Sequence, residues 1–173
     1  MTCSSPVPKP FEYFRIDLPP KEYFTYKDTN CGYAFKLPKY SEVKEHDPIN
    51  KCWKDINFQY FKATIHLTYF FLEKNLNDLI EESRRFAYKH TIKADAIKEV
   101  LYIDTVKKVY GILYDISGNV ATPIQFYVTD SVKHFLRGAL YFNTRPNKDS
   151  LEPVIDFLKL DVKMLIETIR WLN

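Results

Sequence analysis

The sequence predicts an α+β fold, an antiparallel sheet with helices packed on it in an α-β-α sandwich. Three observations carry this expectation. Segments rich in β-branched and aromatic residues follow one another in runs, one amphipathic helix interrupts the runs, and a second closes the chain. A doubly wound parallel sheet would instead alternate strand and helix throughout.

The elements justify themselves in order. Residues 33–37 and 61–71 carry side chains that suit a pleated, half-buried surface and read as strands. In the second, Phe61, Ala63, Ile65, Leu67, Tyr69 and Phe71 share one side, and Lys62, Thr64, His66, Thr68 and Phe70 the other. The first side is therefore a core face. Asn75 stands where a helix cap would, ahead of a helix to about His90 with Leu76, Leu79, Ile80, Phe86 and Ala87 on its apolar face. Residues 107–142 read as a three-stranded antiparallel meander, punctuated by Ser117-Gly118-Asn119 and Thr129-Asp130-Ser131. Asp149 or Ser150 then caps a last helix with Glu152 and Pro153 in its first turn. Leu151, Val154, Ile155, Leu158, Val162, Leu165 and Ile169 form its stripe, and Arg170 suits its C-terminal dipole.

The chain has 173 residues, 46% of them hydrophobic, which suits one core rather than two. Residues 11–173 are read as a single α+β domain, and residues 1–10 as a tether, because Ser4-Ser5-Pro6-Val7-Pro8-Lys9-Pro10 favours extended chain. A net charge of +3 lacks the basic excess that nucleic acid demands. The longest uncharged stretch, residues 116–129, falls short of the roughly 20 apolar residues of a membrane helix.

Chemistry leaves little trace. The four histidines, His46, His66, His90 and His134, form no HxxxH or HExxH arrangement, and Cys3, Cys31 and Cys52 include no CxxC pair. No metal or cofactor is expected, and each histidine reads first as a hydrogen-bonded core or surface ring. There is no GxSxG elbow, and four glycines leave little material for a phosphate loop. Asp17, Asp95, Asp115 and Asp130 stand in no acid–base pattern, and Asp130 reads as a turn former. The residues alone thus support a soluble α+β binding module that is not an enzyme. Cys3 is either the first residue of a mature lipoprotein or merely near the place where the chain begins.

Several strings resemble the gliding motility lipoprotein GldD family: Pro10-Phe11-Glu12-Tyr13-Phe14-Arg15-Ile16-Asp17-Leu18-Pro19, Cys31-Gly32-Tyr33-Ala34-Phe35, Lys51-Cys52-Trp53, and residues 87–96. The longest runs from Tyr110-Gly111-Ile112-Leu113-Tyr114-Asp115 through residues 129–143 to Arg145-Pro146-Asn147-Lys148-Asp149-Ser150-Leu151. The resemblance implies a Bacteroidetes envelope lipoprotein that serves gliding and type IX secretion through protein–protein interaction, with no catalytic residue. In element order the chain is also similar to PsbP and Mog1 sandwiches. Lipid attachment, with acyl chains such as palmitate, is implied at Cys3, although Met1-Thr2 stand where the family's signal peptide and lipobox would be. Ser4, rather than an aspartate, follows Cys3, and no acidic cluster precedes Glu12, so the periplasmic face of the outer membrane is the expected location. Once Cys3 is lipidated, Cys31 and Cys52 are left to pair as a disulfide in an oxidising compartment, the alternative being two buried free thiols.

The expected partners are other gliding and type IX secretion envelope proteins, and the expected partner surface is residues 129–147 with Arg15 and Asp17. Along residues 133–143, His134, Leu136, Leu140 and Phe142 face one way, and Phe135, Arg137, Tyr141 and Asn143 the other. Aromatic and arginine side chains are the types enriched at interface centres, which singles out Asp130, Arg137, Tyr141, Asn143 and Arg145. Alternatively the terminal helix covers this face, and Arg137 pairs with Asp130 or Asp149. The second functional hypothesis is a periplasmic small-molecule or peptide-binding module, or a cryptic hydrolase, with a His/Asp-lined pocket built from His66, His90, His134 and nearby carboxylates.

Overall fold

The structure, a computed structural model, describes residues 17–89, 94–143 and 148–172. The element order is β1 (Tyr23–Asp28), β2 (Tyr33–Pro38), β3 (Glu42–Glu45), β4 (Lys54–Phe58), β5 (Ala63–Phe71), α1 (Leu76–Tyr88), β6 (Ala94–Asp104), β7 (Val109–Gly118), β8 (Ile124–Thr129), β9 (His134–Phe142), α2 (Lys148–Thr168) and β10 (Arg170–Trp171). Seven strands form one antiparallel sheet in the order β3-β4-β5-β9-β8-β7-β6, and β1-β2-β10 form a small second sheet. The α+β class and the β7-β8-β9 meander stand as expected.

Alternation sorts the large sheet into two faces. On the first, Ile56, Phe58, Ile65, Leu67, Leu113, Phe126, Val128, Leu136 and Leu140 are buried in one cluster with the α2 stripe of Val154, Leu158, Val162, Leu165, Ile166 and Ile169. Tyr33, Phe35 and Leu37 of β2 belong to the same cluster, so α2 and the small sheet together cover this face. On the second, Tyr114, Ile116, Tyr127 and Phe135 are buried with Leu79 and Ala87 of α1. The terminal helix therefore lies on the opposite face from Phe135 and Arg137, and α1 takes the place assigned to it. Strand β8 is buried at every residue, with strands on both flanks, α2 and the small sheet on one face and α1 over part of the other.

Close packing at the centre depends on Gly138, which is registered against Leu67 of β5 and Phe126 of β8. A Cβ there would stand 2.4 Å from the Phe126 ring, so only glycine lets that ring lie across β9.

Some boundaries differ from expectation. Residues 94–104, between the expected helix and the expected meander, form an edge strand whose register shifts between Ala94 and Ala96. A bulge places an extra residue out of alternation, which hides the start of the strand from a period of two. Helix α2 begins at Lys148, ahead of the expected Asp149 or Ser150 cap, so Pro153 lies inside it rather than in its first turn. Asn75 precedes α1 without capping it, since its Oδ1 accepts the N–H of Glu73 instead.

Cys31 and Cys52 are joined, with a sequence separation of 21 and a Cα–Cα distance of 5.5 Å. The bond ties the start of β2 to the start of β4 and so clamps the small sheet to the large one. Closing a loop of this length contributes about 3 kcal/mol in the chain-entropy model. The paired substitution Cys31→Ser/Cys52→Ser should lower Tm by on the order of 10 °C in calorimetry. An unchanged Tm would mean that the hydrophobic contacts alone hold the two sheets together.

Candidate functional site: the uncovered half of the large sheet

Helix α1 covers only the part of the second face formed by Tyr114, Ile116, Tyr127 and Phe135. Toward β3 the same face continues through Gln125 of β8, Arg137, Ala139 and Tyr141 of β9, and His66 and Thr68 of β5, and there it lines a cavity of about 900 Å³. His46, which follows β3, and Phe86 and Lys89, at the end of α1, complete its wall. The floor is flat because Ala139 lies between His66 on one side and Gln125 on the other in the strand register.

Three strands bring a charged cluster to the edge of this cavity. Asp55 on β4 is registered against His66 on β5, while the His46 backbone N–H donates to the Trp53 carbonyl and extends the β3–β4 ladder. The two imidazoles converge on one carboxylate oxygen, with His46 Nδ1 at 2.8 Å and His66 Nδ1 at 2.5 Å from Asp55 Oδ1. The Tyr141 ring meets the His66 ring edge-on at 5.0 Å and is itself 38% exposed, so this part of the face is open to solvent.

Arg137 sits at the boundary between the covered and open halves. Its Nη1 donates to Glu82 of α1 at 2.8 Å, and its guanidinium lies 5.4 Å from the Phe70 ring centre and 4.8 Å from that of Phe86. Among the described side chains its carboxylate partner is Glu82 rather than Asp130, and the Asp149 side chain lies outside them. An arginine held by an ion pair and two aromatic faces ties β9 to α1 and still reaches the cavity.

The remaining expected residues do not gather here. Asp130 closes the β8–β9 turn, its Oδ1 accepting the backbone N–H groups of Val132, Lys133 and His134 at 2.8–2.9 Å. Burial works against its charge, yet these three donors hold its carboxyl below the usual carboxylate range. Asn143 is exposed just beyond β9, where its N–H donates to the Lys62 carbonyl, and Asp17 is exposed ahead of β1. Cys3, Arg15, Arg145 and His90 lie outside the described residues.

His134 belongs to the opposite face and does not share a pocket with His66. It stacks on Trp171 of β10 at 4.9 Å, and its Nδ1 shares a hydrogen bond with the Tyr69 hydroxyl at 2.6 Å. Burial pushes its pKa down, against the pull of the Asp130 charge, so the neutral ring is favoured. The histidine pocket expected from His66, His90 and His134 is thus replaced by the pair His46 and His66 around Asp55. Strand alternation marks His66 as facing away from the core. His46 and Asp55 give no such signal, because they meet only through the β3-β4-β5 register.

Substituting Asp130→Ala leaves three backbone donors without their charged acceptor and should cost about 1–3 kcal/mol, read as a loss of several degrees in Tm at pH 7. The carboxyl is depressed in the folded state, so its contribution is complete above the ordinary carboxylate pKa and fades as pH falls through the folded value. The Tm gap between wild type and variant should therefore narrow in acid. A gap independent of pH would assign the loss to something other than the charge.

Among the described residues, no helix is long and apolar enough to cross a membrane. No curated protein sequence matches the chain. Among solved structures it is similar to cyanobacterial PsbP (CyanoP) from Synechocystis sp. PCC 6803, with a TM-score of 0.55 and 13% identity over 89% of this chain and 95% of that one. At that identity the likeness establishes the sandwich fold alone. The family is established by sequence: the model of the gliding motility lipoprotein GldD matches residues 3–171, and the chain belongs to that family.

Proposed function

We propose that the protein is a lipid-anchored, non-enzymatic docking factor of the gliding and type IX secretion machinery, held by Cys3 at the periplasmic face of the outer membrane. Its partner is another envelope protein of that machinery, and it docks on the open half of the second sheet face. The supporting observation is that a sheet face packed by α1 at one end continues uncovered past Arg137 to Tyr141 and His66, lining a cavity of about 900 Å³. A half-covered face with an aromatic and an arginine at its centre suits a protein surface better than solvent.

A second reading has an observation of its own. The same cavity collects His46, His66, Gln125, Arg137 and Tyr141, a set of polar groups able to orient a small molecule or peptide. The two readings diverge in crosslinking from the cavity in native envelopes: a photoreactive residue at position 141 captures a specific envelope protein under the first and none under the second.

Tyr141 is exposed and closes no core contact, so Tyr141→Ala should abolish gliding or secretion while shifting Tm by no more than a few degrees. Loss of function together with unfolding would place Tyr141 in the structural framework instead. The anchor has its own test. Several acyl chains hold a protein firmly in a bilayer, so Cys3→Ala should move the protein from the membrane to the soluble periplasmic fraction. Unchanged fractionation would refute attachment at Cys3.

A further inference from the structure

We propose that His46, Asp55 and His66 form a binding site for a borderline divalent transition-metal ion such as Zn²⁺, with the coordination positions not filled by the protein turned toward the cavity. The proposal is independent of the docking function. One donor atom from each of the three residues lies within 4.8 Å of the other two. Two imidazoles and one carboxylate are a donor set that Zn²⁺, Ni²⁺ and Cu²⁺ prefer, whereas Mg²⁺ and Ca²⁺ favour all-oxygen surroundings.

Both rings present Nδ1 to the same oxygen, Asp55 Oδ1, at 2.8 and 2.5 Å. A tetrahedral Zn²⁺ at ordinary bond lengths sets its ligands roughly 3.4 Å apart, so entry of the ion widens each contact by less than about 1 Å. Coordination through Nδ1 moves each ring proton to Nε2, so neutral imidazoles keep their charge. The side chains have room for this adjustment, since those of His46, His66 and Asp55 are 41%, 37% and 22% exposed.

The backbone holds the three residues on neighbouring strands, which limits what has to be ordered on binding. Asp55 and His66 are directly registered, and the His46 N–H bond to Trp53 continues the adjacent ladder. The Trp53 ring lies 6.3 Å from that of His46, and the Tyr141 ring 5.0 Å from that of His66, so aromatic surfaces limit the freedom of both imidazoles. The residue across β3 from Asp55 is Lys44, and its ammonium is turned away to Glu42 at 3.0 Å. Arg137, the guanidinium of the cavity, is paired with Glu82. Lys44 and Arg137 thus have carboxylate partners of their own, and Lys89, the remaining cation of the cavity wall, stands at the end of α1, while Asp55 is directed at the two rings.

The test uses the full chain without a histidine tag, with the disulfide intact and Cys3→Ser in every sample so that no thiol competes. Titration with ZnCl₂ should show one ion per chain and a rise in Tm, because the ion binds the folded state alone. His46→Gln, His66→Gln and Asp55→Asn should each weaken binding at least tenfold, while His134→Gln, on the opposite face of the sheet, should leave it unchanged. In NMR spectra Zn²⁺ should shift the ring signals of His46 and His66 and leave those of His134 in place, which reads the site directly even if a variant folds poorly. Absence of stoichiometric binding, or equal affinity in the His46→Gln/His66→Gln double variant, would overturn the proposal.

Discussion

The structure depends on one geometric constraint, which is that the second face of the large sheet is wider than the helix that covers it. Seven strands at about 4.8 Å spacing span about 29 Å. The 13 residues of α1 reach about 20 Å along the helix axis and about 10 Å across it. In any orientation α1 leaves strands uncovered. The rings of Tyr114, Tyr127 and Phe135 fall beneath it, and beyond it the face carries His66, Thr68, Arg137 and the partly exposed Tyr141 beside the buried Thr64 and Gln125. Polar side chains serve there both wet and dry: His66 keeps its edge in solvent, whereas the buried Thr64 and Gln125 find their hydrogen bonds in Asn57 and Thr122.

The first face meets the same demand with two elements instead of one, and their joints are polar. Asp161 of α2 is 2% exposed and accepts hydrogen bonds from the hydroxyls of Tyr23 and Tyr40, with the Lys21 ammonium 2.7 Å away. Lys21 also donates to the Phe157 carbonyl and lies over the Phe157 ring. Burial pushes the lysine pKa down against the attraction of Asp161, and burial together with that carboxylate pushes both tyrosines up. A second buried pair, Asp28 and Lys54 at 3.3 Å, stands beside the disulfide, and the Cys31 N–H donates to Asp28 Oδ1. Removing one member of such a pair strands a buried charge, so these contacts fix where the small sheet sits more than they add to its stability.

These two devices separate what was legible in the sequence from what was not. Strong periodicity announced β5, the β7–β9 meander and both helices, because each presents a full apolar stripe to a core. The edge strand β6 has water on one flank and a bulge at its start, so its alternation is broken at the point where it would have been recognised. Strands β3 and β4 are four and five residues long and mix charge with aliphatics, which leaves periodicity little to work on. The Cys31–Cys52 pairing was accessible by way of the family resemblance. The partners of Arg137 were not, because Glu82 comes 55 positions earlier and meets it only when α1 docks.

The histidines show why side-chain alternation within a strand stops short of a site. Alternation alone sets His66 apart from the core side of β5 and groups His134 with Leu136 and Leu140 on β9. Whether the two histidines meet depends on a further fact, the register of one strand against the other, which pairs His66 with Ala139 and His134 with Phe71. That register puts one ring in the open half of the second face and the other beneath β10 on the first. Their chemistry then diverges. His134, stacked on Trp171 and hydrogen-bonded to Tyr69, has its pKa pushed down by burial and serves as packing. His66 shares a carboxylate oxygen with His46 at a wet edge, where proton and ligand exchange cost no core contact. Residue type is common to both, and strand register decides which one is available to chemistry.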